Sequence, residues 1–312
     1  MIVNYAYVLT SLLLGVSFSL IYQKIFFKNN LIDKINSRSS HNVTATRSGG
    51  LAIFSSIFII SLFLYFTSNE IFDFSIMIPL SILFFIGIYD DLYQADFKLK
   101  FIFQLIAAKI LVDQGFLIEN LNGLFGLFEI SYIIAQPITI LFIMTVLNSF
   151  NFIDGIDGLG LGQFFTTSFF TLYMLNFSLI WLNFFIIMIV CSSLCLFYFN
   201  FRKNNKIFLG DGGSLFLGGV ISVLIITVNR QPSINFNTLS IIMICYLFPI
   251  IDIMRVIWIR VKNKRSPFKA DKEHLHHMVL NKVESHPKTT LIILLSSIII
   301  QFLILQGIST SN

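Results

Sequence analysis

The sequence predicts an all-α integral membrane protein with about ten transmembrane helices, built as a single domain over residues 1–312. Three observations predict this class. Hydrophobic residues make up 56% of the 312 residues, and charged residues make up 12%, roughly half the share of an average soluble domain. Phe occurs 36 times, more often than a soluble protein of this length could bury away from water. The apolar residues also fall in runs of about 20, the length that a helix needs to cross the bilayer core.

The apolar runs define ten candidate spans in chain order. They are 5–27, 49–66, 72–89, 101–118, 132–150, 159–176, 178–199, 214–229, 238–258 and 289–307. The run 101–118 is the weakest candidate because it contains Gln104, Lys109 and Asp113. The last two are four residues apart, so a helix would place them side by side as an ion pair.

The basic residues predict how the spans are oriented. Of the 21 Lys and Arg residues, 17 lie in one alternate set of loops, whereas the other set contains Arg230 alone. Basic loops stay on the cytoplasmic side of a membrane. We therefore expect a multi-pass protein of the bacterial inner (plasma) membrane, with both termini on the periplasmic or extracellular side.

Every polar cluster that could perform chemistry falls in the predicted cytoplasmic loops. The clusters are Arg38-Ser-Ser-His41, Asp90-Asp91, Asn151 to Asp157, Gly210-Asp-Gly-Gly-Ser214 and His274-Leu-His-His277. A transporter would place polar groups near the midplane and use both sides of the membrane. Polar groups at one interface instead favour an enzyme with one cytosolic substrate and one substrate in the bilayer.

The stretch from Asn148 to Leu159 interrupts two apolar runs with carboxylates, carboxamides and glycines. Asp154 and Asp157 are three residues apart, so one turn of helix would place both on one face. Ionisable residues at a membrane are candidates for function by default. The alternative is a turn whose Asx side chain caps the next helix.

Two further acidic positions suit a divalent cation. Asp90 and Asp91 repel each other unless a cation offsets their charges, and oxygen ligands at a membrane edge suit Mg²⁺; a solvated pair is the alternative. Asp211 opens a helix whose N-terminus and glycines favour phosphate. We interpret it as a metal ligand, with a helix cap as the alternative. Lys100 lies four residues before Gln104, so both would share a helix face toward phosphate, unless Lys100 snorkels to the interface.

The three histidines His274, His276 and His277 predict phosphate binding or proton donation. Zinc is disfavoured because no Cys lies nearby and adjacent histidines rarely chelate one ion together. A solvated basic loop attracted to anionic lipid is the alternative, although it does not explain three histidines. Asp252 and Arg255, three residues apart within a span, predict a buried ion pair at a helix end.

Taken in order, these motifs resemble those of the polyprenyl-phosphate N-acetylhexosamine-1-phosphate transferases of glycosyltransferase family 4. The resemblance covers about residues 33 to 280 and includes Asn151-Phe-Ile-Asp-Gly-Ile-Asp-Gly-Leu159 and Ser266-Pro-Phe-Lys-Ala-Asp-Lys-Glu-His-Leu-His-His277. The last stretch resembles the branch that initiates O-antigen and teichoic-acid synthesis. The cell-wall translocase branch has a His-His-His-Phe-Glu pattern instead. The segment Val43 to Gly50 departs from the family, because two prolines and one glycine of the family pattern are replaced.

The resemblance implies a reaction and a set of roles. A UDP-N-acetylhexosamine would give its sugar-1-phosphate to undecaprenyl phosphate in the membrane lipid, with Mg²⁺ or alternatively Mn²⁺ as cofactor and no nucleic acid involved. It implies catalytic roles for Asp90, Asp91, Asp154 and His276, and metal binding by Asp91, Asn151 and Asp211. It implies substrate contacts for Arg47, Lys100, Asn148, Asp157, His274 and His277. The sugar, the polysaccharide that is initiated, direct or covalent transfer, and a homodimer all stay open, and a transporter of a small molecule or lipid is the alternative function.

Overall fold

The computed structural model describes residues 5–33, 44–67, 73–265 and 274–309. In those residues the chain is mostly helical and the strands are few and short, which confirms the all-α prediction. The helices are α1 (Tyr5–Lys28), α2 (Gly49–Phe66), α3 (Met77–Tyr93, after a 3₁₀ turn Phe74–Ile76), α4 (Phe97–Asp113), α5 (Tyr132–Ile153), α6 (Leu159–Met174), α7 (Ile180–Asn200), α8 (Gly210–Asn229), α9 (Thr238–Lys262), α10 (Leu275–Val283) and α11 (His286–Ser309). The short strands are β1 (Ala45–Thr46), β2 (Asn120–Leu124), β3 (Leu127–Glu129) and β4 (Lys206–Ile207).

Each of the ten predicted spans contains a helix, but the number of membrane crossings stays a prediction. Among the described helices, eight are long and apolar enough to cross a membrane. Helices α4 and α6 are shorter, with 17 and 16 residues. Helix α4 also lies earlier than the predicted run 101–118: it ends at Asp113, and Gly115 follows with a φ of +92°, which a right-handed helix does not tolerate.

Helix α8 is the centre of the bundle. Of its 20 residues, 18 are buried, because α8 packs against α2, α3, α5, α6 and α9. A helix that is apolar on all sides needs such surroundings. Its first turn is rich in glycine, so neighbouring backbones approach closely: a Cβ atom at Gly50 of α2 would overlap the backbone of Gly213.

A second close contact between helix backbones joins α3 to α8. A Cβ atom at Gly87 of α3 would overlap the backbone carbonyl of Asp211. The last turns of α3 therefore lie directly on the first turn of α8. This approach brings Asp90 and Asp91, at the end of α3, beside Asp211.

Short strands join the loops at this same end of the bundle. Strand β1 pairs in parallel with β4 through Ala45↔Lys206 and Thr46↔Ile207. The backbone N–H groups of Gly49 and Gly50 then donate to the carbonyls of Phe208 and Leu209 at 2.9 and 2.8 Å. The sequence did not predict this pairing, because two-residue strands show no periodicity. The pairing fixes the segment before α2 against the segment before α8. At the opposite end, β2 and β3 form an antiparallel hairpin.

Helix α9 is kinked in its middle. Tyr246 has non-helical angles (φ −144°, ψ 45°), and Pro249 follows within the helix. Proline removes a backbone hydrogen bond and clashes with the preceding turn, so a kink is expected there. The part of α9 after the kink contains Asp252, whose partners are described below.

Prediction on the α3–α8 contact: we expect Gly87→Ala to lower thermal stability in detergent and to displace Asp211. The added methyl group would overlap backbone atoms of α8, which cannot move aside as a flexible side chain could. Overpacking of this kind costs about 1–3 kcal/mol. Gly307→Ala is the control, since nothing lies within 4 Å of its added Cβ. Equal melting temperatures for the two variants would contradict the close packing of α3 on α8.

Candidate active site

Three helix ends meet around Lys100, close to the start of α4. The Lys100 ammonium lies 2.8 Å from Asp90 Oδ2 of α3 and forms a second hydrogen bond with Asp211 Oδ2 of α8. The Lys100 side chain is 15% exposed, so the pairing is shielded from bulk water. Asp90 also accepts the backbone N–H of Ala95 at 2.8 Å. The structure thus brings together three predicted site residues, of which Asp211 lies 111 residues from Lys100 in the sequence.

Asp91 points away from Lys100 and toward the backbone at the start of α8. Its carboxylate is 2% exposed and accepts the Gly212 N–H at 3.0 Å and Arg47 Nη1 at 3.3 Å. Arg47 also forms an ion pair with Asp33 at 2.9 Å. A helix N-terminus stabilises a carboxylate through its unpaired N–H groups. Adjacent Asp90 and Asp91 are therefore held by different partners, on two sides of the first turn of α8.

The carboxamides of α5 reach the same region. Asn151 Nδ2 donates to Ser214 Oγ at 2.7 Å, and Ser214 Oγ donates to the Asp211 carbonyl at 3.2 Å. Asn148 Nδ2 donates to Gln104 Oε1 of α4 at 3.1 Å. Asn151 therefore lies one side chain away from Asp211, whereas Asn148 links α5 to α4.

Asp154 and Asp157 separate from each other, contrary to the expectation that one helix face holds both. Helix α5 ends at Ile153, so the two residues lie in the turn before α6, and Gly158 completes that turn with a φ of +73°. The Asp154 carboxylate lies against Gly160 at the start of α6. Burial, together with the charges of Asp211 and Asp91, raises the pKa of Asp154 well above its usual range.

Asp157 is buried and already paired. Its carboxylate accepts from Lys206 of β4 and lies 3.4 Å from His286 Nδ1 at the start of α11. Although burial acts in the opposite direction, His286 and Lys206 lower the pKa of Asp157. The Asp157 carbonyl also accepts Thr290 Oγ1 at 2.7 Å. In this arrangement Asp157 fastens the turn to its neighbours, and its predicted substrate contact stays a prediction.

The histidines lie next to this turn. His274 is the N-cap residue of α10, a helix that the sequence did not predict because it lacks a long apolar run. A Cβ atom at Gly155 would lie 3.9 Å from His277 Cε1 and 4.0 Å from His276 Nε2. His274 and His276 are buried, and His277 is half-buried. The structure therefore joins the histidine segment to the Asp154 turn.

Sequence reasoning missed the partner of these histidines. Asp252 Oδ2 lies 2.9 Å from His274 Nδ1, and Asp252 Oδ1 accepts the Leu275 N–H at 2.8 Å. The predicted pair with Arg255 is present at 3.5 Å, but the shorter bonds go to the histidine segment. An aspartate within an apolar helix was the available signal. The clusters 38–41 and 266–273 lie outside the described residues.

The donor set suits a hard divalent cation. Asp90, Asp91 and Asp211 bring three carboxylates together, against the two positive charges of Lys100 and Arg47. The excess of negative charge and the oxygen ligands fit Mg²⁺ better than a soft metal. Asp91, Asn151 and Asp211, the predicted metal set, all lie at the first turn of α8 or in contact with it. The roles of these residues stay predictions.

Prediction on the central lysine: we expect Lys100→Met to lower the free energy of unfolding by about 1–3 kcal/mol, because it leaves two partly buried carboxylates without their counter-charge. Lys109→Met is a matched control from the same helix. Lys109 is 47% exposed and pairs with exposed Asp113, as predicted from sequence, so its loss should cost less than about 1 kcal/mol. Thermal unfolding in detergent measures both, and equal losses would show that Lys100 is not the shielded centre described here.

Prediction on the turn: Asp157→Asn and Lys206→Met should be strongly non-additive in a double-mutant cycle, with a coupling of about 1–3 kcal/mol, because both side chains are almost fully buried. Thermal unfolding of the two single variants and the double variant gives this coupling. A coupling near zero would mean that the two residues do not stabilise the turn as a pair.

Comparison of the sequence with known proteins identifies its family. Residues 73–229 match the model of a family described as glycosyl transferase family 4. A probable undecaprenyl-phosphate N-acetylglucosaminyl 1-phosphate transferase of Bacillus subtilis (strain 168) is 31% identical over 92% of this chain and 80% of its own length. An undecaprenyl-phosphate alpha-N-acetylglucosaminyl 1-phosphate transferase of Yersinia pestis is 25% identical, over 86% of this chain and 74% of its own.

A decaprenyl-phosphate N-acetylglucosaminephosphotransferase of Mycobacterium tuberculosis (strain CDC 1551 / Oshkosh) is 28% identical, over 83% of this chain and 71% of its own. The matched family segment runs from the 3₁₀ turn before α3 to the end of α8. It therefore contains Asp90, Asp91, Lys100, Asn151, Asp154 and Asp211. A multi-pass membrane protein with this segment, and with a relative at this level of identity, belongs to glycosyl transferase family 4.

Proposed function

We propose that this protein transfers N-acetylhexosamine-1-phosphate from a UDP-sugar to undecaprenyl phosphate, with UMP as the leaving group. The observation that carries the proposal is the meeting of Asp90, Asp91, Lys100 and Asp211 at the first turn of α8. The names of the relatives, which include polyprenyl-phosphate acceptors and N-acetylglucosamine, support it. They also favour UDP-N-acetylglucosamine as the donor over the GalNAc, FucNAc and QuiNAc derivatives. The product would begin a cell-surface polysaccharide such as O-antigen or teichoic acid.

The charge distribution supports a diphosphate donor. The N-terminus of α8 presents backbone N–H groups and the positive end of the helix dipole, both of which favour phosphate. Lys100 and Arg47 add positive charge at the same place. Asp91, Asn151 and Asp211 would hold Mg²⁺, or alternatively Mn²⁺. When bound, this ion neutralises charge on the diphosphate and on the departing UMP.

Direct transfer is the mechanism that these residues suit best. A phosphate oxygen of undecaprenyl phosphate attacks the β-phosphorus of the UDP-sugar. The bond from that phosphorus to the oxygen shared with the α-phosphate breaks, and UMP leaves with the electron pair. The acceptor is itself a nucleophile, so no covalent enzyme intermediate is required. Asp90, next to Lys100, orients the acceptor phosphate. Asp154, in the turn before α6, contacts the UDP-sugar.

The orientation follows from the charges of the loops. The loops at the site end contain 17 of the 21 Lys and Arg residues, so the site faces the cytoplasm and the termini face the other side. A UDP-sugar is a cytosolic metabolite, and the acceptor lipid lies in the bilayer, so both substrates can reach this interface. A transporter would not need its acids gathered at one end of the helices.

Prediction on transfer: purified protein with undecaprenyl phosphate, Mg²⁺ and UDP-N-acetylglucosamine should release UMP, and EDTA should stop the release. Asp90→Asn, Asp91→Asn, Asp154→Asn and Asp211→Asn should each lower the rate by at least about 10²-fold, because each replaces a preorganised carboxyl group of the site by an amide. Asp113→Asn, which alters only an exposed ion pair, should keep the wild-type rate. The readout is UMP released per minute over a panel of UDP-sugars.

Release of UMP without the lipid acceptor would contradict transfer, as would full activity in EDTA. Wild-type turnover by any one of the four Asp→Asn variants would remove that residue from the proposed mechanism.

A further inference from the structure

Asp252 on α9 holds two different groups of the histidine segment. Its Oδ2 atom lies 2.9 Å from His274 Nδ1, and its Oδ1 atom accepts the Leu275 N–H at 2.8 Å. Leu275 is the first residue of α10, and the side chain of the N-cap residue His274 makes no capping bond. Asp252 thus caps α10 from a separate helix, in the position where a carboxylate stabilises a helix most.

The same carboxylate lies against both buried imidazoles. A carboxylate only accepts hydrogen bonds, so His274 Nδ1 carries the hydrogen in this bond. His276 Nδ1 lies 3.5 Å from the same Asp252 oxygen, and its side chain is 0% exposed. This contact is an ion-pair distance and not a hydrogen bond, and neither nitrogen of His276 has a hydrogen-bond partner among the described residues. The Nε2 atom lies 4.0 Å from the position that a Cβ atom at Gly155 would take.

We infer that Asp252 is a positioning residue. It fixes the tautomer and the direction of His274 through a hydrogen bond, and its charge keeps Nδ1 of His276 on its own side, so that His276 Nε2 faces the Asp154–Gly155 turn. The effect of this positioning on catalysis rests on the proposed function, in which the UDP-sugar would lie against that turn. The structural part of the inference is independent of the reaction: the buried carboxylate of Asp252 on α9 binds the first residues of the α10 segment. An imidazole oriented by a carboxylate through one nitrogen can use the other nitrogen toward substrate.

The same three side chains, Asp252, His274 and His276, are close enough to bind a metal ion together. Two contacts favour hydrogen bonding instead. Arg255 places a guanidinium 3.5 Å from Asp252 Oδ1, and this positive charge repels a divalent cation. The same oxygen already accepts the Leu275 N–H. The carboxylate is therefore engaged as a hydrogen-bond acceptor on both of its oxygens.

The test measures the histidines directly. Purified wild type and Asp252→Asn are treated with diethylpyrocarbonate, which carbethoxylates accessible neutral imidazoles, and the modification of each histidine is followed by mass spectrometry. Half-buried His277 is the internal reference. In Asp252→Asn, His274 and His276 should react at least about tenfold faster relative to His277, because a charge-assisted hydrogen bond is lost. Asp113→Asn should leave the pattern of the wild type.

Transfer kinetics give the second readout. Asp252→Asn should lower kcat by at least about tenfold and change KM for the UDP-sugar by less than about threefold, since orientation of a group contributes mainly to the transition state. Adding His276→Ala to Asp252→Asn should lower kcat by less than about threefold further, because residues that act as a unit are non-additive. A merely destabilised protein would show no such kcat and KM split.

A matched pair of variants avoids changing the buried acid. Leu275→Pro removes the backbone N–H group that donates to Asp252. Proline fits at this position because Leu275 is the first residue of α10. The ψ of +145° at His274 also suits a residue before proline. Leu275→Ala removes the same side chain but keeps the N–H. If Asp252→Asn does not fold, faster modification of His274 in Leu275→Pro than in Leu275→Ala supports the inference.

The outcomes separate the inference from the proposed function. Unchanged protection of His274 and His276 in Asp252→Asn, or in Leu275→Pro where Asp252→Asn does not fold, overturns the positioning role. Stoichiometric zinc in the wild type that is absent from Asp252→Asn also overturns it, in favour of a metal site. If the wild type transfers no sugar-phosphate but the protection pattern changes as expected, the proposed function fails and the positioning of the histidines stands.

Discussion

The site depends on the close approach of α3 to α8. No side chain separates Gly87 from the backbone of Asp211, so the carboxylates at the end of α3 reach the first turn of α8. Three carboxylates at such short range repel one another, and Lys100 and Arg47 offset only part of that repulsion. The packing of two apolar helices thus creates a local excess of negative charge, which is the electrostatic condition for binding a divalent cation.

Around this centre the chain uses buried ion pairs to hold loops in place. Asp157 fastens the turn between α5 and α6 to Lys206 and His286, and Asp252 fastens the start of α10 to α9. In each case a carboxylate from one segment binds groups from others that are distant in sequence. Loops at a membrane surface have few apolar contacts to order them, so directional charged hydrogen bonds carry this task. The consequence is a site whose acids have different partners although they resemble one another in the sequence.

Much of the fold and of the site could be predicted because the signals are local. Apolar runs indicated the helices, and loop charges indicated the end that holds the site. The motifs at Asp90-Asp91, Asn151 and Asp211 indicated the residues that do meet. The partners could not be predicted: Lys100 pairs with Asp211, Lys206 pairs with Asp157, and Asp252 pairs with His274, across 111, 49 and 22 residues of sequence respectively. Helix α10 and the pairing of β1 with β4 were missed because both are too short for periodicity to show.

The amino-acid sequence by itself determined the class of this protein, the approximate positions of most of its long helices and the set of acids at one end of the bundle. These properties follow from composition and spacing, which act over one or two turns of helix. The tertiary structure alone decided which acid faces Lys100, which faces the backbone of α8 and which is neutralised by a structural partner. A carboxylate has the same chemistry at each position, and only its neighbours in space, set by helix packing and by where each helix ends, decide its charge and its role.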